Sequence, residues 1–157
     1  MSAELTPEQE KQVQERTEEA ILVTNARTLK IMKDHFGEEA YHVLVKAIGE
    51  DTRLQWSKAA EENEDKSIEA FINLQFKQSL GNGTTMEKTE TGFQMNCVKC
   101  PAYEIAKRYG LEEQMFYMCC EPDPFAAEGY NPNIGFKRTK TLMQGDDYCD
   151  HFYYYKN

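Results

Sequence analysis

Arg138-Thr139-Lys140-Thr141-Leu142-Met143-Gln144-Gly145-Asp146-Asp147-Tyr148-Cys149-Asp150-His151 reads as two strand-like runs meeting at a Gly-Asp-Asp turn, with cations, carboxylates, a thiol and an imidazole within fourteen positions. Side chains alternate across a strand, so Cys149 and His151 share one face of the second run and Asp150 takes the other. By the same period Arg138 and Lys140 share a face of the first. The chain is therefore expected to close with an antiparallel hairpin, whose second strand continues into the aromatic run Phe152-Tyr153-Tyr154-Tyr155, packed on both faces.

Moving upstream, the period changes to that of helices. Thr6-Pro7-Glu8-Gln9 is a helix start, with Thr6 as cap, Pro7 at the first helical position and Gln9 closing a capping box. Leu22, Ala26, Leu29 and Phe36 then recur at helical spacing up to a stop at Gly37. A second helix is expected from near Glu38, with Ala40, Val43, Leu44, Ala47 and Ile48 as its apolar stripe and Gly49 ending or kinking it. Leu54 and Trp56 fall on a further helical segment before the charged linker Glu61-Glu62-Asn63-Glu64-Asp65. Asp65 is placed to cap a third helix that buries Ile68, Phe71 and Ile72, and Gly81-Asn82-Gly83 breaks it.

Beyond that break Phe93, Met95 and Cys97 alternate with Gln94, Asn96 and Val98 as in a strand. Pro101 opens a short helix, Ala102 to Tyr109, which leaves Cys100 at a strand-to-helix junction. Leu111 to Cys120 is again helical, and the prolines of Glu121-Pro122-Asp123-Pro124 are expected to end it, with Gly129-Tyr130-Asn131-Pro132 a loop into the final hairpin. The fold class is α+β: N-terminal amphipathic helices, then a strand, a helical excursion and the C-terminal hairpin. Residues 1–157 are expected to form a single domain, with 1–80 the helical part and 84–157 the α+β part.

The net charge of -9 is uneven, since residues 1–90 carry 11 basic and 18 acidic side chains. That acidic half is unsuited to nucleic acid or an anionic membrane, which require a concentrated cationic surface. The expected partner is a small molecule, and self-association is left open. No apolar run approaches the ~20 residues that span a bilayer, and Met1-Ser2-Ala3-Glu4 lacks the basic and apolar regions of a signal peptide, so a cytoplasmic location is expected. All five cysteines, Cys97, Cys100, Cys119, Cys120 and Cys149, lie in the second half, and an odd number in a reducing compartment suits thiol or metal chemistry better than disulfides.

A cysteine at a helix start or beside an imidazolium has its pKa lowered to roughly 4–7, which makes it a nucleophile at neutral pH. Cys100 or Cys149 is the candidate. Cys120-x-x-Asp123 and Cys149-x-His151 together read either as a Cys/His pair with Asp123 orienting it or moving its proton, or as four zinc ligands. Arg138 and Lys140 suit a substrate carboxylate. Each of these has a plainer reading, a buried structural thiol or charges on an exposed hairpin face. His35 and His42 stand without a second ligand-type residue at matching spacing and are read as ordinary surface or packing side chains.

From Asn96 to about Tyr154 the chain resembles the L-2-amino-thiazoline-4-carboxylic acid hydrolase family. The likeness is carried by Cys100-Pro101, Cys120-x-x-Asp123, Asn131-Pro132, Arg138 to Leu142, and Gly145-Asp146-x-x-Cys149-Asp150-His151. It implies hydrolytic opening of a small cyclic amidine-type ring bearing a carboxylate, with no cofactor. A fainter likeness to vinyl-reductase-type ligand-sensing domains supports the alternative, a non-catalytic small-molecule sensor holding zinc.

Overall fold

The computed structural model describes residues 5–77 and 79–157. The Met1 to Glu4 stretch read above for a leader lies outside them. The architecture is α+β: helices α1 (Pro7–Phe36), α2 (Glu39–Glu61) and α3 (Ile68–Gln75) precede strands β1 (Thr84–Lys88) and β2 (Gly92–Cys97). Helices α4 (Pro101–Tyr109) and α5 (Glu112–Met115), a π-helical turn (Phe116–Cys120) and α6 (Asp123–Tyr130) follow, before β3 (Ile134–Lys137), a 3-10 turn (Leu142–Gln144) and β4 (Cys149–Tyr155). The sheet is antiparallel in the order β1-β2-β4-β3.

The start of α1 is as the sequence predicts. Thr6 accepts from the Gln9 N–H, Gln9 reaches back to the Thr6 N–H at 2.9 Å, and Gly37 ends the helix. The buried face differs: Val23, Ala26 and Leu29 are inside, while Phe36 is 68% exposed. Helix α2 runs unbroken through Gly49 and absorbs Leu54 and Trp56, so no separate segment exists there. Gly49 is neither a stop nor a kink but a contact point. A Cβ on it would lie 2.7 Å from the Phe125 ring, and one on Gly129 would strike the Arg53 backbone, so α2 and α6 approach closely where each lacks a side chain. Ala40 is buried on α2 as expected, with Tyr41 inside in place of the exposed Val43.

Ser67, not Asp65, caps α3 by accepting from the Ala70 N–H at 3.1 Å, and Asp65 instead takes the Ser67 N–H at 2.7 Å. The prolines after Cys120 start a helix where the sequence suggested an end. Pro122 and Pro124 flank the first helical residue of α6, where a missing N–H costs nothing, and Gly129 and Tyr130 belong to that helix. Strand β1 was not foreseen; it pairs with β2 from Thr84↔Cys97 to Lys88↔Phe93.

The terminal hairpin exists, but its first strand is Ile134–Lys137, paired with β4 from Ile134↔Tyr155 to Lys137↔Phe152. Arg138 to Thr141 is irregular because side-chain carboxylates take the backbone donors a strand partner would use. Asp150 accepts from the N–H groups of Thr139 and Lys140 at 2.8 and 2.6 Å, and Asp146 from that of Thr141 at 2.8 Å. Arg138 and Lys140 therefore do not share a strand face.

Three cores result. Trp56, Phe71, Tyr130 and Tyr153 meet edge-on or tilted at centroid separations of 5.0 to 6.1 Å and join α2, α3 and α6 to the inner face of the sheet. Such pairs contribute about 0.5–1.5 kcal/mol each beyond area burial. Val23, Ala26, Ala106, Leu111, Met115 and Met143 pack α1 against α4 and α5. A small third cluster, Cys97, Leu142 and Cys149 with Cys100 and Tyr103 against it, lies where the sheet meets α4.

Candidate functional site

Alternation along β4 turns Cys149, His151 and Tyr153 inward, and the register sets Cys97, Met95 and Phe93 opposite them on β2. Asp150 faces the other way and holds the Thr139–Lys140 loop. Strand pairing of β3 and β4 then delivers Arg138, the first residue past β3, beside His151.

Arg138 enters the interior with its side chain 8% exposed. Its Nη1 stands 2.6 Å from Asp123 Oδ2 and donates to the Cys120 carbonyl at 3.1 Å, its Nη2 is 3.6 Å from Glu121 Oε1, and the guanidinium lies over the rings of Phe116 and Phe136. Asp123 Oδ2 is also 3.5 Å from His151 Nε2. One carboxylate oxygen, on a side chain 16% exposed, thus faces a guanidinium and an imidazole together. The His151 ring sits between Phe76 and Phe136, at 5.7 and 5.8 Å, and its buried Nδ1 has no hydrogen-bond partner among the described residues. Such an orphan is rare in an interior and calls for a reason, of which a reacting group is one.

The two thiols before Asp123 are brought in by the π-helical turn, in which the Glu121 N–H reaches back to the Phe116 carbonyl at 3.0 Å. Single π-turns are uncommon and concentrate at functional sites. Cys149 accepts from the Leu142 N–H at 3.3 Å, and the Cys97 thiol donates to the Lys99 carbonyl at 3.0 Å. Cys100 caps α4 in extended backbone geometry before Pro101.

The electrostatics correct the expectation of a depressed thiol. Burial pushes Cys119 and Cys149 up to about 11, and it raises Cys120 further, helped by the Asp123 carboxylate against the opposing pull of Arg138. Burial also raises Cys100, although the amides of Tyr103 and Ala102 at the start of α4 pull the other way. In the resting fold these thiols are protonated at neutral pH.

The structure therefore gathers Cys120, Asp123, Arg138, Cys149 and His151 into one buried cluster, with Cys100 packed on its Cys149 side. Lys140 is exposed and spends its ammonium on Tyr148, 3.3 Å from the hydroxyl. Among the described residues no three His, Cys, Asp or Glu side chains form a group that could hold a metal ion. His35 and His42 are exposed on the helices. Residues that the sequence did not single out are Glu121, Phe136 and Tyr153, and also Lys99 and Glu104, whose only signal was adjacency or one-turn spacing to Cys100.

Cys100 borders open space. It lines a cleft of about 480 Å3 with Ser79, Asn82, Lys99, Pro101 and Glu104. It also lines a second cleft of about 580 Å3 between α1 and α4, walled by Glu15, Glu18 and Glu19.

The model of the L-2-amino-thiazoline-4-carboxylic acid hydrolase family matches residues 14–153, and the chain belongs to that family. The match extends well upstream of Asn96, over the N-terminal helices as well. No curated protein compared with the chain matches it.

Proposed function

We propose that this member of the family is a cytoplasmic hydrolase that opens a small cyclic amidine-type ring, such as 2-amino-thiazoline-4-carboxylate, at a ring C–N bond. Carrying the reading is the position of Cys100, a helix-start thiol that borders open clefts and packs against Cys149 of the strand that also turns His151 inward. The absence of any helix long and apolar enough to cross a membrane among the described residues is compatible with that location.

In this mechanism the Cys100 thiol passes its proton to the Asp123–His151 pair as sulfur adds to the amidine carbon. Collapse of the adduct breaks the ring C–N bond, and the returned proton leaves with the nitrogen. Water then adds to the same carbon and expels the Cys100 thiolate, so substrate plus one water gives an S-carbamoyl amino acid. The raised resting pKa of Cys100 makes the proton acceptor necessary, since a thiol that is protonated at rest attacks only as it is deprotonated. Arg138 holds Asp123 toward His151, and the α4 amides of Ala102 and Tyr103 face the sulfur where charge develops. Cys120 and Cys149 line the interior side.

Incubation of purified protein with the thiazoline carboxylate should yield a product heavier by one water, and Cys100→Ser should abolish it with unchanged circular dichroism. No product from folded wild-type protein would overturn the reading.

A further inference from the structure

The two cations considered for a substrate carboxylate are already engaged, Arg138 by Asp123, Glu121 and the Cys120 carbonyl and Lys140 by Tyr148, and Arg108 on α4 is held by Glu19 at 3.0 Å. Lys99 differs. It lines the same 480 Å3 cleft as Cys100, it is exposed, and it makes no ion pair among the described residues. Its stem is nonetheless located. Gly83 has φ +90, and a Cβ there would come within 2.6 Å of Lys99 Cβ, so the Gly-Asn-Gly loop lies directly against the lysine, tied by the Val98 N–H donating to the Gly83 carbonyl at 2.7 Å. Glu104 borders the same cleft. Its N–H donates to the Cys100 carbonyl at 3.0 Å, which puts its side chain one helical turn beyond Cys100 on the same face, in the same cleft and likewise without an ion-pair partner.

We infer that this cleft binds a small zwitterion, with the Lys99 ammonium on its carboxylate and the Glu104 carboxylate on its amidinium, beside the Cys100 sulfur. The inference rests on the hydrolase reading and deepens it by assigning the residues that hold the two charges of the substrate. A ring carrying both charges satisfies both side chains, whereas a simple monoanion leaves Glu104 opposing it. Asn82 and Ser79 supply neutral donors and acceptors between them.

Calorimetric titration of L-2-amino-thiazoline-4-carboxylate into Cys100→Ser protein, which holds the ring without opening it, tests this. Adding Lys99→Met should raise Kd about tenfold, the loss of one charge-assisted contact, and Lys99→Arg should restore it. The ring lacking its carboxylate should bind both Cys100→Ser and Cys100→Ser/Lys99→Met equally, and Glu104→Gln should weaken both ligands. Equal Kd with and without Lys99, or no binding to Cys100→Ser protein, would overturn the assignment. The two readings separate cleanly. Binding with this charge dependence but no turnover by wild-type protein leaves the zwitterion site standing and removes the hydrolase; turnover with indifference to Lys99 does the reverse.

Discussion

Replacing Arg138 by Met tests the cluster as a unit. The methionine keeps most of the apolar stem, so the loss is confined to the guanidinium: the 2.6 Å contact with Asp123, the 3.1 Å donation to the Cys120 carbonyl and the positions over Phe116 and Phe136. What remains is an Asp123 side chain only 16% exposed, with the His151 imidazole 3.5 Å away. Breaking a buried ion pair from one side costs ~3–5 kcal/mol, mostly for the stranded charge. Because Asp123 keeps some exposure and an imidazole neighbour, the lower end applies, about 3 kcal/mol. Removing the stranded carboxylate as well, in Arg138→Met/Asp123→Asn, should recover about 2 kcal/mol of that, since the penalty belongs to the unpaired charge. Urea unfolding of wild type, both single variants and the double variant gives the coupling directly. A loss below ~1 kcal/mol for Arg138→Met, or a double variant as unstable as the sum of the singles, would refute the account of a single electrostatic unit.

Gly49→Ala should destabilise by ~1–3 kcal/mol, because its Cβ would sit 2.7 Å from Phe125, and Gly49→Ala/Phe125→Leu should recover part of the loss in the same urea assay. Cys119 and Cys149 hold their protons to about 11 in the fold, against ~8.5 for a free thiol. An acid whose folded pKa is raised contributes stability that is whole below its unfolded pKa and is lost as pH climbs through the folded value. The unfolding midpoint should therefore fall from pH ~8.5 upward, and Cys149→Ala should flatten the decline. Iodoacetamide mapping by mass spectrometry at pH 7 should modify Cys100 first, as the thiol on the clefts, and reach Cys149 only when the protein opens; preferential labelling of Cys149 in folded protein would contradict the placement of these thiols.

Much of this was legible from local chemistry. The Thr6 to Gln9 capping box, the Pro101 start of α4 and the alternation of Phe93, Met95 and Cys97 are rules of a few residues, and they held because no distant group competes with them. The shared inward face of Cys149 and His151 was legible for the same reason. Where sequence reasoning failed, a partner remote in sequence decided. Arg138 to Thr141 has strand-forming composition, but the Asp150 carboxylate captured its amides. Gly49 carries a helix-breaking residue type that α2 tolerates because Phe125 fills the gap. The pKa of a helix-start thiol was expected to fall, yet burial outweighs the amides of one short helix, and burial is not written in the neighbouring residues. Nor was the idle state of Lys99, visible only once Arg138, Arg108 and Lys140 had been matched to partners.

The π-helical turn at Phe116–Cys120 can be regarded as a spare residue stored in a helix. Its i-to-i+5 bond from Glu121 to Phe116 accommodates one more residue than an α-turn would, and each residue of an α-helix advances the phase by about 100°. Excising one of the five would let the segment relax to ordinary pitch with α5 and α6 close to their present phase, because the wider turn already absorbs the extra residue. The same step in reverse, a single-codon insertion, is thus a route by which a lineage could acquire this turn from a plain helix without rebuilding the sheet.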